Sequence, residues 1–139
     1  MNRKLGVVIA VRQLHGEGRR PKVVTVKLGK PRRSKEIDWE CPFSITGLRI
    51  RGIQYGRGVD AIQALYMALE GVRVLLERSG ARLTWIGGQP GDAGFYRFVP
   101  KFFGPKFSKR LDRVIDREVE AFCRRAEGKH RRLPKSADE

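Results

Sequence analysis

Between Gly58 and Gly80 the large apolar residues Ile62, Leu65, Leu69, Val72 and Leu76 recur at spacings of three, four, three and four. That is the stripe of a helix with one buried face. Asp60 is placed as an N-cap, with Gln63 three positions on completing a capping box, and Gly80 suits the left-handed turn that ends a helix. The segments before it alternate with period two. Leu5, Val7, Ile9 and Val11 face one way and Gly6, Val8 and Ala10 the other, which predicts a strand covered on both sides for part of its length. Val24, Val26 and Leu28 predict a second strand over 22–30, and Trp39, Cys41, Phe43 and Ile45 a third. Pro42 cannot donate to a ladder, so it marks an edge, a bulge or a gap in the pairing. In the fourth strand Leu48 and Ile50 keep one phase and Ile53 and Tyr55 the other, so a bulge is expected at Gly52.

After the helix, RLTWI at 82–86 predicts a short fifth strand, followed by the glycine-rich loop 87–94 and an aromatic run, FYRFVPKFF. Gly104 and Pro105 punctuate the chain, with Pro suited to a first helical turn. Phe107, Leu111, Val114, Ile115, Val119, Phe122 and Ala126 then trace a second amphipathic helix, with Glu120 and Arg124 as an i,i+4 pair. The expected fold is α+β: an antiparallel four-stranded meander packed on the central helix, then a short strand and a C-terminal helix. Residues 1–103 form the α+β domain, 104–127 a helix in the same domain or appended to it, and 128–139 a flexible basic tail. Leu65, Leu69 and Val72 are the expected core, with Trp39, Phe43 and Trp85 nearby.

Charge changes this picture most. Thirty Lys and Arg stand against 15 Asp and Glu, a formal charge of +15, and such a surplus attracts polyanions. It is uneven. Residues 1–57 hold 14 Lys and Arg against four Asp and Glu, residues 58–104 five against four, and residues 105–139 eleven against seven. Arg19, Arg20 and Lys22 flank one connection and Lys30, Arg32, Arg33 and Lys35 form the next. Lys129, Arg131, Arg132 and Lys135 lie in the tail. Successive connections of a meander lie at opposite ends of the sheet, so the first two clusters bracket a face and do not form one patch.

Other chemistry is poorly served. The glycine loop matches neither a dinucleotide fingerprint nor a P-loop, and a turn that lets Trp85 pack is the simpler reading, with Asp92 accepting backbone N–H bonds. His15 and His130 stand far apart and no metal-ligand spacing exists, so no metal and no cofactor are expected. Cys41 and Cys123 read as reduced, buried thiols. Asp38 and Glu40 share a strand face without a further catalytic partner. No catalytic residue is assigned, and the residues point away from an enzyme. No stretch approaches the ~20 apolar residues of a membrane span, and Arg12 interrupts the N-terminal apolar run. A cytoplasmic address is expected.

At GVDAIQAL, RLTWIGGQPGDAGF and DWECPFSITGL the sequence resembles a small bacterial family catalogued as a domain of unknown function, over about residues 20 to 95. The resemblance implies an α+β domain in a bacterial cytoplasm and supplies no catalytic residue. The expected function is sequence-tolerant binding of RNA or DNA by an accessory protein using the basic residues named above. The alternative is a protein-interaction module of a regulatory or conflict system, its C-terminal helix docking on an acidic partner.

Overall fold

The computed structural model describes residues 4–36, 38–98 and 103–131. The chain divides into two compact units, Met1–Arg97 and Phe98–Glu139. In the first, the strands are β1 (Val8–Gly16), β2 (Val23–Gly29), β3 (Arg32–Arg33), β4 (Trp39–Thr46), β5 (Gln54–Gly58) and β6 (Leu83–Thr84), with helix α1 (Ala61–Arg78) between β5 and β6. In the second, helix α2 spans Pro105–Arg131. Strands β1, β2, β4 and β5 pair antiparallel in succession, the expected meander. The two-residue β3 pairs with the start of β4, and β6 pairs with the end of β1.

The proline on β4 falls in a gap. On the side facing β2 and β3, pairing covers Trp39–Glu40 and Phe43–Thr46, leaving Cys41 and Pro42 out. Both still align with β5, opposite Gly56 and Tyr55. The missing N–H of Pro42 therefore costs no ladder bond. The expected bulge at Gly52 is a turn instead. Strand β5 starts only at Gln54, and Gly52 has φ of 77°, a left-handed conformation that glycine adopts without strain. Strand β6 is likewise shorter than expected.

Helix α1 starts as its sequence requires. Asp60 Oδ1 accepts the Gln63 N–H at 2.7 Å, and Gln63 Oε1 accepts the Val59 N–H at 2.8 Å. Its buried face, however, is not the stripe of large residues. Ala64, Ala68, Val72 and Leu76 are buried, Leu65 and Leu69 are only partly so, and Ile62 is 66% exposed. The cause is close approach. A Cβ on Gly56 would lie 2.6 Å from Ala68 Cα, and one on Gly58 2.6 Å from the Ala64 nitrogen. Two strand glycines thus meet two helix alanines, and the helix rests backbone to backbone on β5. Large residues flank that seam and do not form it. Arg73 bridges Glu70 and Glu77 and keeps 14% side-chain exposure.

The core between α1 and the sheet holds Leu14, Val24, Val26, Leu28, Cys41, Phe43 and Ile45, with Trp39 and Trp85 packed against it. Each fully buried Val, Leu, Ile or Phe contributes about 1.5–3 kcal/mol. The opposite sheet face carries Gln13, Thr25, Lys27, Ser44 and Thr46, none of them buried, the alternation of a sheet covered on one side. Because α1 lies over β4 and β5, it does not reach the first half of β1. That half is exposed and not covered on both sides as its sequence suggests.

Candidate functional site

Strand direction decides which connections share an end. β1 ends at Gly16 and β2 begins at Val23, so Arg19, Arg20 and Lys22 lie at one end of the sheet. β4 also finishes there, since Thr46 stands opposite Thr25, and a Cβ on Gly47 would come within 3.2 Å of Val24 Cα. The β4–β5 connection therefore brings Arg49 and Arg51 to the same end. Helix α1 climbs from β5 back to it, because Leu83, five residues after Arg78, pairs with Gly16. That adds Arg78 and Arg82. All seven cations are exposed.

Little neutralises them. Arg82 meets Glu17 at 3.0 Å. Glu77 is engaged by Arg73 at 2.7 Å, and Asp92 Oδ1 accepts the Gly94 N–H at 2.7 Å. The four meander strands, at ~4.8 Å spacing, make this end about 14 Å wide. Along the axis of a duplex each strand presents a phosphate about every 3.4 Å, so a backbone lying along this width brings about four of them past it.

The opposite end differs. Lys30, Arg32, Arg33, Lys35 and Arg57 collect there, but so do Glu36, Asp38, Glu40 and Asp60. Arg32 donates to Glu40 at 2.8 Å and to the Lys4 carbonyl at 2.9 Å. Arg33 lies 5.7 Å from the Trp39 ring centroid. Glu40 also stands opposite Arg57 in the β4–β5 register, so Asp38 and Glu40 form no isolated carboxylate pair. The two loop clusters do lie at opposite ends, as expected, but only one end is strongly basic. Arg49, Arg51, Arg78 and Arg82 belong to no cluster in the sequence, although a meander places its first and third connections together.

In the second unit α2 runs through Gly128 to Arg131, so the tail expected from residue 128 is helical at its start. Lys129 is exposed on it. The side chain of Arg131, and Arg132 and Lys135 altogether, lie outside the described residues. Glu120 and Arg124 pair at 3.8 Å.

The glycine loop performs the structural job read from its sequence. Cβ atoms on Gly88 and Gly94 would fall 2.7 and 2.8 Å from the Trp85 indole, so the loop wraps the ring more closely than any side chain allows. Arg12 lies 4.6 Å from the Trp85 centroid and 5.0 Å from that of Phe95, and donates to the Gly94 carbonyl at 2.7 Å. A cleft of 200 Å³ beside it is lined by Arg73, Glu77, Leu83, Asp92 and Phe95, smaller than the ~300–1,000 Å³ of most ligand pockets.

Cys41 is buried and donates to the Gly29 carbonyl at 3.4 Å. Burial pushes its thiol up to about 11, so it stays protonated and unreactive at neutral pH. Cys123 is exposed, a correction to the expected burial. At mildly alkaline pH, iodoacetamide should alkylate Cys123 readily and Cys41 at least ~tenfold more slowly, as read by peptide mass spectrometry. Among the described residues, no three His, Cys, Asp or Glu side chains come together in a group that could hold a metal ion. No helix there is long and apolar enough to cross a membrane.

No curated protein and no solved structure is detectably similar to the chain. A family model matches residues 10–97, from β1 through the loop around Trp85, and leaves α2 outside. The chain belongs to the family described as a domain of unknown function, DUF6968.

Proposed function

We propose that the protein binds nucleic acid without sequence preference, as an accessory protein, through the basic end of its sheet. The observation that carries this reading is the convergence of Arg19, Arg20, Lys22, Arg49, Arg51, Arg78 and Arg82 from three separate connections, with Glu17 the one carboxylate among the described residues that pairs with any of them. Exposed cations gathered on one surface are what phosphate neutralisation requires. The reading is sequence-tolerant because phosphate contacts position a nucleic acid without reading its bases. Cations of α2, among them Arg125 and Lys129, extend the same chemistry on a second unit. Titrating labelled RNA and DNA at rising salt should show binding at low ionic strength. log K should then fall linearly with log salt, with a slope corresponding to about four phosphates. Absence of binding at the lowest salt would end the proposal.

A second reading, docking of α2 on an acidic protein partner, is favoured by its stripe. Val119 is 57% and Phe122 68% exposed, beside a surplus of cations on the same helix. Copurification from the native cell separates the two: one recovers nucleic acid, the other a stoichiometric acidic protein.

A further inference from the structure

We propose that two copies of this chain associate through the free half of strand β1, pairing antiparallel to make one continuous sheet across a two-fold axis. Leu5–Val11 is an uncharged stretch in a chain of charge +15. Val7, Val8, Ile9 and Val11 are 68%, 41%, 49% and 58% exposed, an apolar patch on the order of a few hundred Å², the scale at which exposed patches mark interaction sites. It lies on a sheet edge. β6 covers only His15 and Gly16 of β1, and among the described residues no other strand pairs beyond them.

The ladder shows which backbone groups face outward. Gly16 donates to the Lys22 carbonyl and Val7 accepts from Lys30 N–H, so these two residues face β2. Alternation from Gly16 then turns Val11 outward. The register shift between Val8 and Ala10 breaks the alternation and turns Val8 outward as well. Val8 and Val11 of one copy thus match Val11 and Val8 of the other, and a single strip supplies both halves of an isologous interface.

Charge selects a second copy as the occupant. Two molecules of +15 repel each other wherever basic surfaces meet, and the residues that would pair here, Leu5–Val11, carry no charge of their own. Antiparallel pairing also sends the two basic ends to opposite ends of the joined sheet, as far apart as the fold permits. The other sheet edge is closed to such pairing: β5 has five residues, carries the exposed Arg57, and lies tightly under α1, devices that protect an edge. The two-fold pairing uses the same edge of both copies and so closes at a dimer, not an open polymer, and the shift at Val8–Ala10 keeps the new ladder short and the dimer reversible.

The test is sedimentation equilibrium of the full chain, freed of nucleic acid, over a wide concentration series. The parent should show a reversible monomer–dimer equilibrium. Val11→Lys should weaken it at least ~tenfold, through lost apolar burial against Val8 of the other copy and the addition of charge to the strip. Val8→Lys serves as the independent second variant. Far-UV circular dichroism of both should match the parent, because both positions are exposed. A parent that stays monomeric throughout overturns the proposal. So does a dimer untouched by both lysines, or one lost instead with Phe122→Arg on α2.

Discussion

Gly56→Val is expected to leave the protein unfolded at room temperature, and Gly56→Ala to cost at least ~3 kcal/mol. The site has no room to yield. A Cβ at Gly56 meets the backbone of α1, with Ala68 Cα at 2.6 Å, and a backbone seam cannot rotate aside as a flexible side chain can. Overpacking of a core usually costs ~1–3 kcal/mol, occasionally more. Here the displaced body is a whole helix, and lifting it would open the contact that buries Val72 and Leu76. Domains are commonly stable by ~5–15 kcal/mol, so the valine removes most or all of that. Urea denaturation of both variants measures it. Gly128→Ala is the opposite control: it lies within α2 with nothing within 4 Å of its Cβ position, and should raise helix stability by ~0.5–1 kcal/mol. An unchanged midpoint for Gly56→Ala would show that the helix does not rest on β5 as described.

The next largest effect belongs to Trp85. Trp85→Ala is expected to cost about 3 kcal/mol, the low end for loss of a buried aromatic because the ring is only partly buried. The loss spreads further than the ring itself. Loop 87–94 is folded around the indole, and Arg12 stacks on it while holding Gly94. A double-mutant cycle with Arg12→Ala should therefore return a coupling of ~0.5–2 kcal/mol, the range of a cation–π contact. Additive effects would mean that the stack contributes nothing.

These two sites show what the sequence could reveal and where it fell short. Period-two and period-3.6 patterns announced the meander, both helices and their order, because burial of one face per element is what those periods record. The capping residues of α1 were equally plain, being local. The contacting row of α1 was not. Large apolar residues mark a hydrophobic face, but the closest approach belongs to Ala64, Ala68, Gly56 and Gly58, whose small size matters only once two elements are known to touch. Leu69 was accordingly expected deeper than it lies.

The basic site was half legible. Arg19, Arg20 and Lys22 stand out in the sequence as one cluster, and the next as a separate one at the far end. That Arg49 and Arg51 join the first follows from the count of strands alone, since first and third connections of a meander share an end. Arg78 and Arg82 required the pairing of β6 beside β1, a long-range contact that no local pattern encodes. The neutralisation of Arg32 by Glu40 likewise depends on the β3–β4 register.

On the proposed function, one end of the sheet and not net charge at large holds the polyanion. Replace Arg19, Arg20, Arg49 and Arg51 by Gln in one variant, and Lys30, Arg33, Lys35 and Arg57 by Gln in another. Each removes the same charge from opposite ends of the same strands. Fluorescence titration of a labelled single-stranded RNA across salt concentrations then compares them with the parent. The first variant should lose most of its affinity and more than half of the parent's slope in log K against log salt, while the second keeps a slope close to the parent's. Equal losses in the two variants would contradict the account, leaving diffuse attraction by +15 as the whole of the effect.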